Sequence, residues 1–229
     1  MEQQKKINFA CIGYGFMGKT HVGNIIQHPR ANIKAIYSLP DIDLDLIKQE
    51  GNLTEKDITI YSQDWKECID HPGIDAVVIA TPTQTHAEIA KYAASKGKHI
   101  FLEKPMARTV EECNEIIDAV NINNVKCFLG HVLRFFQAYR KGKDSIKNEM
   151  SEIGEIKMIR ALRYSTPPDW SQWFYDERKS GGCILDLNIH DIDYACYILD
   201  KIPVEVYCEA RKLPEKNIKT WAMSMTTLK

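Results

Sequence analysis

The sequence of 229 residues contains no apolar run approaching the roughly 20 residues of a membrane-spanning helix. It also lacks an excess of either charge. Thirty Lys and Arg stand against 31 Asp and Glu, for a net charge of -1. Such a chain has no electrostatic basis for gripping nucleic acid or an anionic bilayer, and neither is expected as a partner. None of its seven cysteines forms a C-x-x-C pair, so the spacing of zinc ribbons and dithiol redox sites is absent. Most of them sit in apolar segments, where a reduced thiol acts as a small hydrophobe, and a cytoplasmic location is expected. There is no internal repeat and no low-complexity tract. The opening "MEQQKK" is charged and leads into a strand-like segment, which predicts no secretory signal.

What is present in the first half is alternation of two periods. "INFACIG" (7–13) predicts a buried strand. A helix over 17–28, a strand over 32–38 and a helix over 41–50 follow, with Gly51 as a stop signal. A short strand over 58–61 and a short helix over 64–70 come next. "DAVVIAT" (75–81) is the strongest strand pattern, and residues 84–96 are helical in composition. "KHIFLEKP" (98–105) predicts a strand. Thr109 with Glu112 three residues on forms a capping box for a helix over 109–120. "VKCFLG" (125–130) is a sixth strand. Repeated strand–helix–strand units predict a doubly wound, mostly parallel sheet with helices on both faces, the architecture of a dinucleotide-binding Rossmann domain, over residues 1–127.

The pattern then changes. Residues 135–150 predict a charged amphipathic helix and "IKMIRALRY" (156–164) a long strand. "GGCILDLNIHDID" (181–193) predicts a buried helix, and 204–210 and the final "TWAMSMTTLK" predict strands. These suit an α+β domain over 128–229. Three strands leave an open edge that proteins normally cover, so the domain is expected to be incomplete at the C-terminus of this chain.

Three motifs carry chemistry. "GYGFMG" is G-x-G-x-x-G at Gly13, Gly15 and Gly18, after the first strand and opening the first helix. Glycine there permits a tight turn, close approach of backbone to a pyrophosphate, and helix–strand contact. The acid expected about 20 residues further on, to bind ribose hydroxyls, is replaced by Ser38. Asp41 is the nearest acid, and no arginine stands beside Ser38 to hold a 2′-phosphate. Ser38 also suits a plain turn before Pro40, so NAD and NADP both stay open. "ATPTQTH" (80–86) and "LEKP" (102–105) follow strands, at the sheet edge where ligands bind. Thr81, Thr83 and Thr85 alternatively cap the next helix. Lys104 can hold a substrate hydroxyl or polarise a carbonyl, or be a loop lysine paired with Glu103. In the 181–193 stretch Asp186 and His190 lie four residues apart, one turn apart on one helix face. An i, i+4 pair also binds zinc, with His131, Asp191 and Asp193 as further candidates. No metal signature organises them, and no metal is expected. A satisfied structural pair is the remaining alternative.

The ordered set "GYGFMG", "ATPTQTHAEIA", "FLEKPMA", "GHVLRFF", "IGEIKMIRA" and "GGCILDLNIHDID" resembles the Gfo/Idh/MocA oxidoreductases, which include glucose–fructose oxidoreductase and inositol 2-dehydrogenase. The resemblance runs along essentially the whole chain. It implies a Rossmann domain followed by a C-terminal domain with a large, mostly antiparallel sheet, of which family members usually have more strands. It implies NAD or NADP as cofactor, contacted by Gly13, Gly15, Phe16, Met17, Gly18, Ser38, Thr81, Pro82, His86, Glu103 and Lys104. It implies a sugar or cyclitol as the small-molecule substrate, and a homo-oligomer for the full-length protein. The family's E-K-P lysine matches Lys104, and its D-x-x-x-H pair matches Asp186 and His190. In inositol dehydrogenase-like members that trio faces the nicotinamide ring.

Oxidising a secondary alcohol needs a hydride acceptor and a base. An imidazole titrates near neutral pH, so His190 is the expected acid/base, with Asp186 orienting it and Lys104 holding the substrate oxygen. Arg134, Tyr164 and Trp170 would flank a polar substrate, with Trp170 and Trp173 either stacking on a sugar face or covering the cleft. Two function classes follow: an NAD(P)-dependent sugar or cyclitol oxidoreductase, and a non-catalytic nucleotide-binding regulatory member or inactive fragment.

Overall fold

The structure is a computed structural model that describes residues 5–38, 60–163, 172–211 and 221–227. Residues 41–50, Tyr164 and Trp170 lie outside the described residues, as do Pro40 and Asp41. The chain divides into two compact units, residues 1–130 and 131–229.

The first unit is built on six parallel strands: β1 (Ile7–Ile12), β2 (Ala31–Tyr37), β3 (Ile60–Ser62), β4 (Ala76–Ile79), β5 (His99–Glu103) and β6 (Cys127–Gly130). Their order across the sheet is β3-β2-β1-β4-β5-β6, the doubly wound order of a Rossmann domain. Helices α1 (Phe16–Gln27), α2 (Trp65–Asp70), α3 (His86–Ser95) and α4 (Val110–Ile122) connect them. Strand periodicity explains the two-sided core. Ala10 and Ile12 of β1 join one buried cluster with Val77, Ile79, Ala90 and Leu102, whereas Cys11 between them joins a second with Val22 and Ile36. Burial pushes the thiols of Cys11 and Cys68 up to about 12, which leaves them inert as nucleophiles.

Local signals account for the helix starts. Asp64 accepts from the amide of Lys66, and Thr109 accepts from that of Glu112. The Glu112 carboxylate reaches back over the start of α4, where the Arg108 amide donates to it at 3.0 Å and the Thr109 backbone also interacts with it. Thr85 is the N-cap of α3, and its side chain accepts no hydrogen bond from the helix amides. A 3-10 turn (Thr83–Thr85) precedes that helix and satisfies the Thr85 amide with the Pro82 carbonyl, 2.9 Å away. The Thr85 hydroxyl turns back to Thr81 Oγ1 at 2.7 Å.

The second unit holds a 3-10 turn (Val132–Phe135), α5 (Gln137–Ile153), a further 3-10 turn (Gln172–Tyr175), α6 (Glu177–Ser180), a π-helical turn (Ile184–Asn188) and α7 (Ile189–Leu199). Its sheet is an antiparallel pair, β7 (Glu205–Arg211) and β8 (Trp221–Thr227). Residues 156–163 join neither strand, against their strand-like pattern. The 184–199 helix is half-buried rather than buried. Its apolar content marks surface to be covered, and α5, β8 and the Val132–Phe135 turn pack on only part of it. Among the described residues no helix is long and apolar enough to cross a membrane.

Candidate functional site

Between β1 and β4 the strand order reverses, and ligands bind at such a switch point beyond the carboxyl ends of the strands. The chain leaves β1 through Gly13, whose amide donates to the Tyr37 carbonyl at 3.1 Å. Gly13 has φ +99, and a Cβ there would stand 2.7 Å from the Ala80 carbonyl oxygen. At Gly18 a Cβ would stand 2.0 Å from the Gly13 carbonyl oxygen. That glycine lets α1 sit directly on the turn. Gly15 differs, with nothing within 4 Å of its Cβ position. It is the N-cap of α1, makes no side-chain cap, and the first helical turn carries no acid. Open space, uncapped amides and the positive end of a helix together suit a phosphate. The residues present therefore fit the pyrophosphate of a dinucleotide. Phe16 and Met17 open the helix, with Phe16 largely exposed. Ser38 follows β2 and is 3% exposed, a small buried residue where an acid is common.

The β5 end is held by two histidines. Glu103 is buried, and its carboxylate lies 2.7 Å from His21 Nε2 of α1 through Oε1. Its Oε2 accepts the amide of Lys104 at 3.2 Å. Gly130 pairs with Glu103 in the sheet, and a Cβ there would lie 3.2 Å from the carboxylate. Glycine leaves that carboxylate its room. His86 is 1% exposed. Its Nδ1 lies 2.9 Å from the Pro105 carbonyl oxygen and its Nε2 2.9 Å from that of Thr81. His86 thus sits between the Thr81 loop and the Lys104–Pro105 loop, with a ring nitrogen 2.9 Å from a backbone carbonyl of each, to one of which a neutral ring donates. His21 was not among the residues singled out from sequence. Its signal was its place three residues after Gly18, on the helix face that meets the sheet.

Burial is the largest influence on His86 and holds its imidazole below its ordinary pKa, against the two carbonyls and Glu103. The unfolded chain then binds a proton on this residue at higher pH than the native state does. Its contribution to stability is complete above about pH 6.5 and declines as pH falls toward its lowered native value. Melting temperature should fall as pH is lowered from 7 to 5, and His86→Gln should flatten part of that slope. An unchanged slope in the variant would remove His86 from the account.

In the second unit, Gly181 and Gly182 have φ +79 and +77. Gly181 is the left-handed cap of α6, and a Cβ there would meet Leu185 Cδ2 at 2.3 Å. The double glycine therefore turns the chain tightly into the next helix. The helical backbone runs on from Ile184 to Leu199. Asp186 lies in its π-helical turn and His190 in its first α-helical turn. π-turns inside helices are frequent at functional sites.

Neighbouring acids are committed elsewhere. Arg163 Nε and Nη2 donate to Asp191 at 2.7 and 2.8 Å. Arg134 Nε donates to Asp193 at 2.8 Å, and His131 Nδ1 lies 3.6 Å from the same carboxylate. These are charge-assisted fork contacts. Arg134, expected beside the substrate, serves here to fasten its 3-10 turn to α7. Among the described residues no group of three His, Cys, Asp or Glu has metal-binding geometry. Trp173 stacks on Phe174 with ring centroids 4.0 Å apart.

The model of an oxidoreductase family with an NAD-binding Rossmann fold matches residues 7–131, and that of the GFO/IDH/MocA C-terminal domain matches residues 143–229. The chain belongs to the GFO/IDH/MocA oxidoreductase family. Its first unit is that family's NAD-binding Rossmann domain. The oxidoreductase YrbE of Bacillus subtilis (strain 168) is 34% identical over 209 residues, 91% of this chain and 58% of that one. The scyllo-inositol 2-dehydrogenase (NAD(+)) of the same organism is 32% identical over 202 residues, 87% of this chain and 55% of that one. The structure of a levoglucosan dehydrogenase in complex with NADH and levoglucosan superposes with a TM-score of 0.77 at 28% identity. It covers 97% of this chain and 64% of its own. The chain spans a little over half the length of the curated relatives it matches.

Proposed function

We propose that the protein is an NAD(P)-dependent oxidoreductase that moves a hydride between the nicotinamide and a secondary alcohol or ketone of a sugar, cyclitol or related polyol. The observation that carries this reading is the uncapped, glycine-lined start of α1 at the switch point of an NAD-binding Rossmann sheet. The named substrates of the scyllo-inositol and levoglucosan dehydrogenases support the substrate class.

A bound nicotinamide cofactor supplies the hydride acceptor. The first-turn amides of α1 would hold its pyrophosphate, and Gly15 leaves the room for it. The remaining work falls to side chains. In alcohol oxidation His190 accepts the hydroxyl proton, and Asp186, one turn earlier, fixes the orientation of the ring and stabilises the imidazolium. Lys104 donates to the same oxygen and stabilises the charge that grows on it. In ketone reduction the imidazolium returns the proton.

The test is a panel of inositols, sugars and linear polyols offered with NAD+ and with NADP+, read by absorbance of the reduced cofactor. At least one cyclitol or sugar should support steady reduction of cofactor. NADH binding with no turnover on any member, in either direction, favours a nucleotide-binding regulatory protein instead.

A further inference from the structure

Lys104 lies between two residues that are each tied down by a buried or nearly buried histidine. On one side, the Glu103 carboxylate meets His21 at 2.7 Å and accepts the Lys104 amide at 3.2 Å. On the other, the Pro105 carbonyl lies 2.9 Å from His86. His21 comes from α1, the helix whose N-terminus suits the pyrophosphate. Its side chain is 17% exposed and that of Glu103 8%. The imidazole also packs edge-on against Phe101 of β5, with centroids 4.7 Å apart. This is a costly place for polar groups unless they are paired, and the pairing links the cofactor helix to the lysine loop.

We propose that His21 is a positioning residue for Lys104. By holding the Glu103 carboxylate against the sheet end, it fixes the oxygen that receives the Lys104 amide, and so sets where the lysine leaves the backbone. Gly130 belongs to the same device, because a side chain there would press on the carboxylate from below. The geometry has a functional consequence. A lysine that must meet one substrate oxygen gains from a backbone that cannot drift, because small misplacements of a reacting group cost large factors in rate. The inference rests on the role of Lys104 proposed above.

The experiment compares His21→Leu with His21→Gln, whose amide nitrogen can replace Nε2 as donor. Three quantities are read in the same protein: hydrogen exchange of a peptide covering residues 103–107, kcat on the best polyol of the panel, and the NADH dissociation constant. The leucine variant should exchange this peptide about tenfold faster. It should also lose about tenfold or more in kcat, with the NADH dissociation constant within about twofold of wild type. The glutamine variant should restore both. Wild-type exchange in the leucine variant overturns the proposal, as does faster exchange with wild-type kcat. Should the leucine variant fail to fold, His21→Ala is read in its place with the same outcomes. If the wild-type protein turns over no polyol, the failure lies with the proposed function, and the exchange result alone decides whether His21 holds the loop.

Discussion

His190→Ala is expected to lower turnover by about 10²- to 10⁴-fold while leaving the NADH dissociation constant unchanged, because it removes a proton acceptor and nothing that holds the dinucleotide. Lys104→Ala should fall in the same range at its lower end, since one donor to a developing oxyanion is worth about 10²- to 10³-fold. On the proposed assignment both residues act on one substrate oxygen in one step, so the two losses should not multiply. Steady-state rates on the best polyol, together with NADH fluorescence titrations of the same samples, check this. Wild-type turnover in both variants would falsify the assignment of the pair. Equal losses in turnover and NADH affinity would move the residues from chemistry to cofactor binding.

The glycine turn yields the second large effect, and the structure separates its members. Gly18→Ala places a Cβ 2.0 Å from the Gly13 carbonyl oxygen, a backbone atom that cannot swing away. Relieving that overlap should cost about 1–3 kcal/mol, a fall in melting temperature of about 2–12 °C for a chain of this size. NADH binding should go with it, because the displaced helix carries the amides. Gly15→Ala meets nothing within 4 Å. It should melt within about 2 °C of wild type, yet bind NADH at least tenfold more weakly, because its methyl occupies the space left for the pyrophosphate. Thermal unfolding and NADH titration of the two variants make the comparison. A Gly15→Ala protein with wild-type affinity would take the pyrophosphate away from α1.

Most of the first unit was legible from residue pattern. Short apolar runs ended by Gly or Pro gave the strands, and G-x-G-x-x-G marked the switch point, where Gly13 and Gly18 answer steric demands visible in the structure and Gly15 leaves open space. What was hidden depends on partners distant in sequence. Glu103 and His21 are 82 residues apart, and nothing near either says that they meet. His86 read as a cofactor contact because its loop faces the right sheet edge, yet its ring turns inward to two carbonyls. Arg134 was expected beside a polar substrate, and its ion pair with Asp193, 59 residues away, could not be read from the sequence. The stretch 156–163 illustrates the other limit: alternation reveals a surface fit for a sheet, and the pairing decides whether one forms.

Hydride transfer is tested by following the hydrogen itself. The protein is incubated with NAD+ or NADP+ and the panel polyol that reduces it, deuterated at its carbinol carbons, and the reduced cofactor is examined by mass and by proton NMR. One deuterium is expected at C4 of the nicotinamide, on a single face, with a corresponding ketone in the product. Reduced cofactor without deuterium, or no reduction with any cyclitol or sugar, contradicts it.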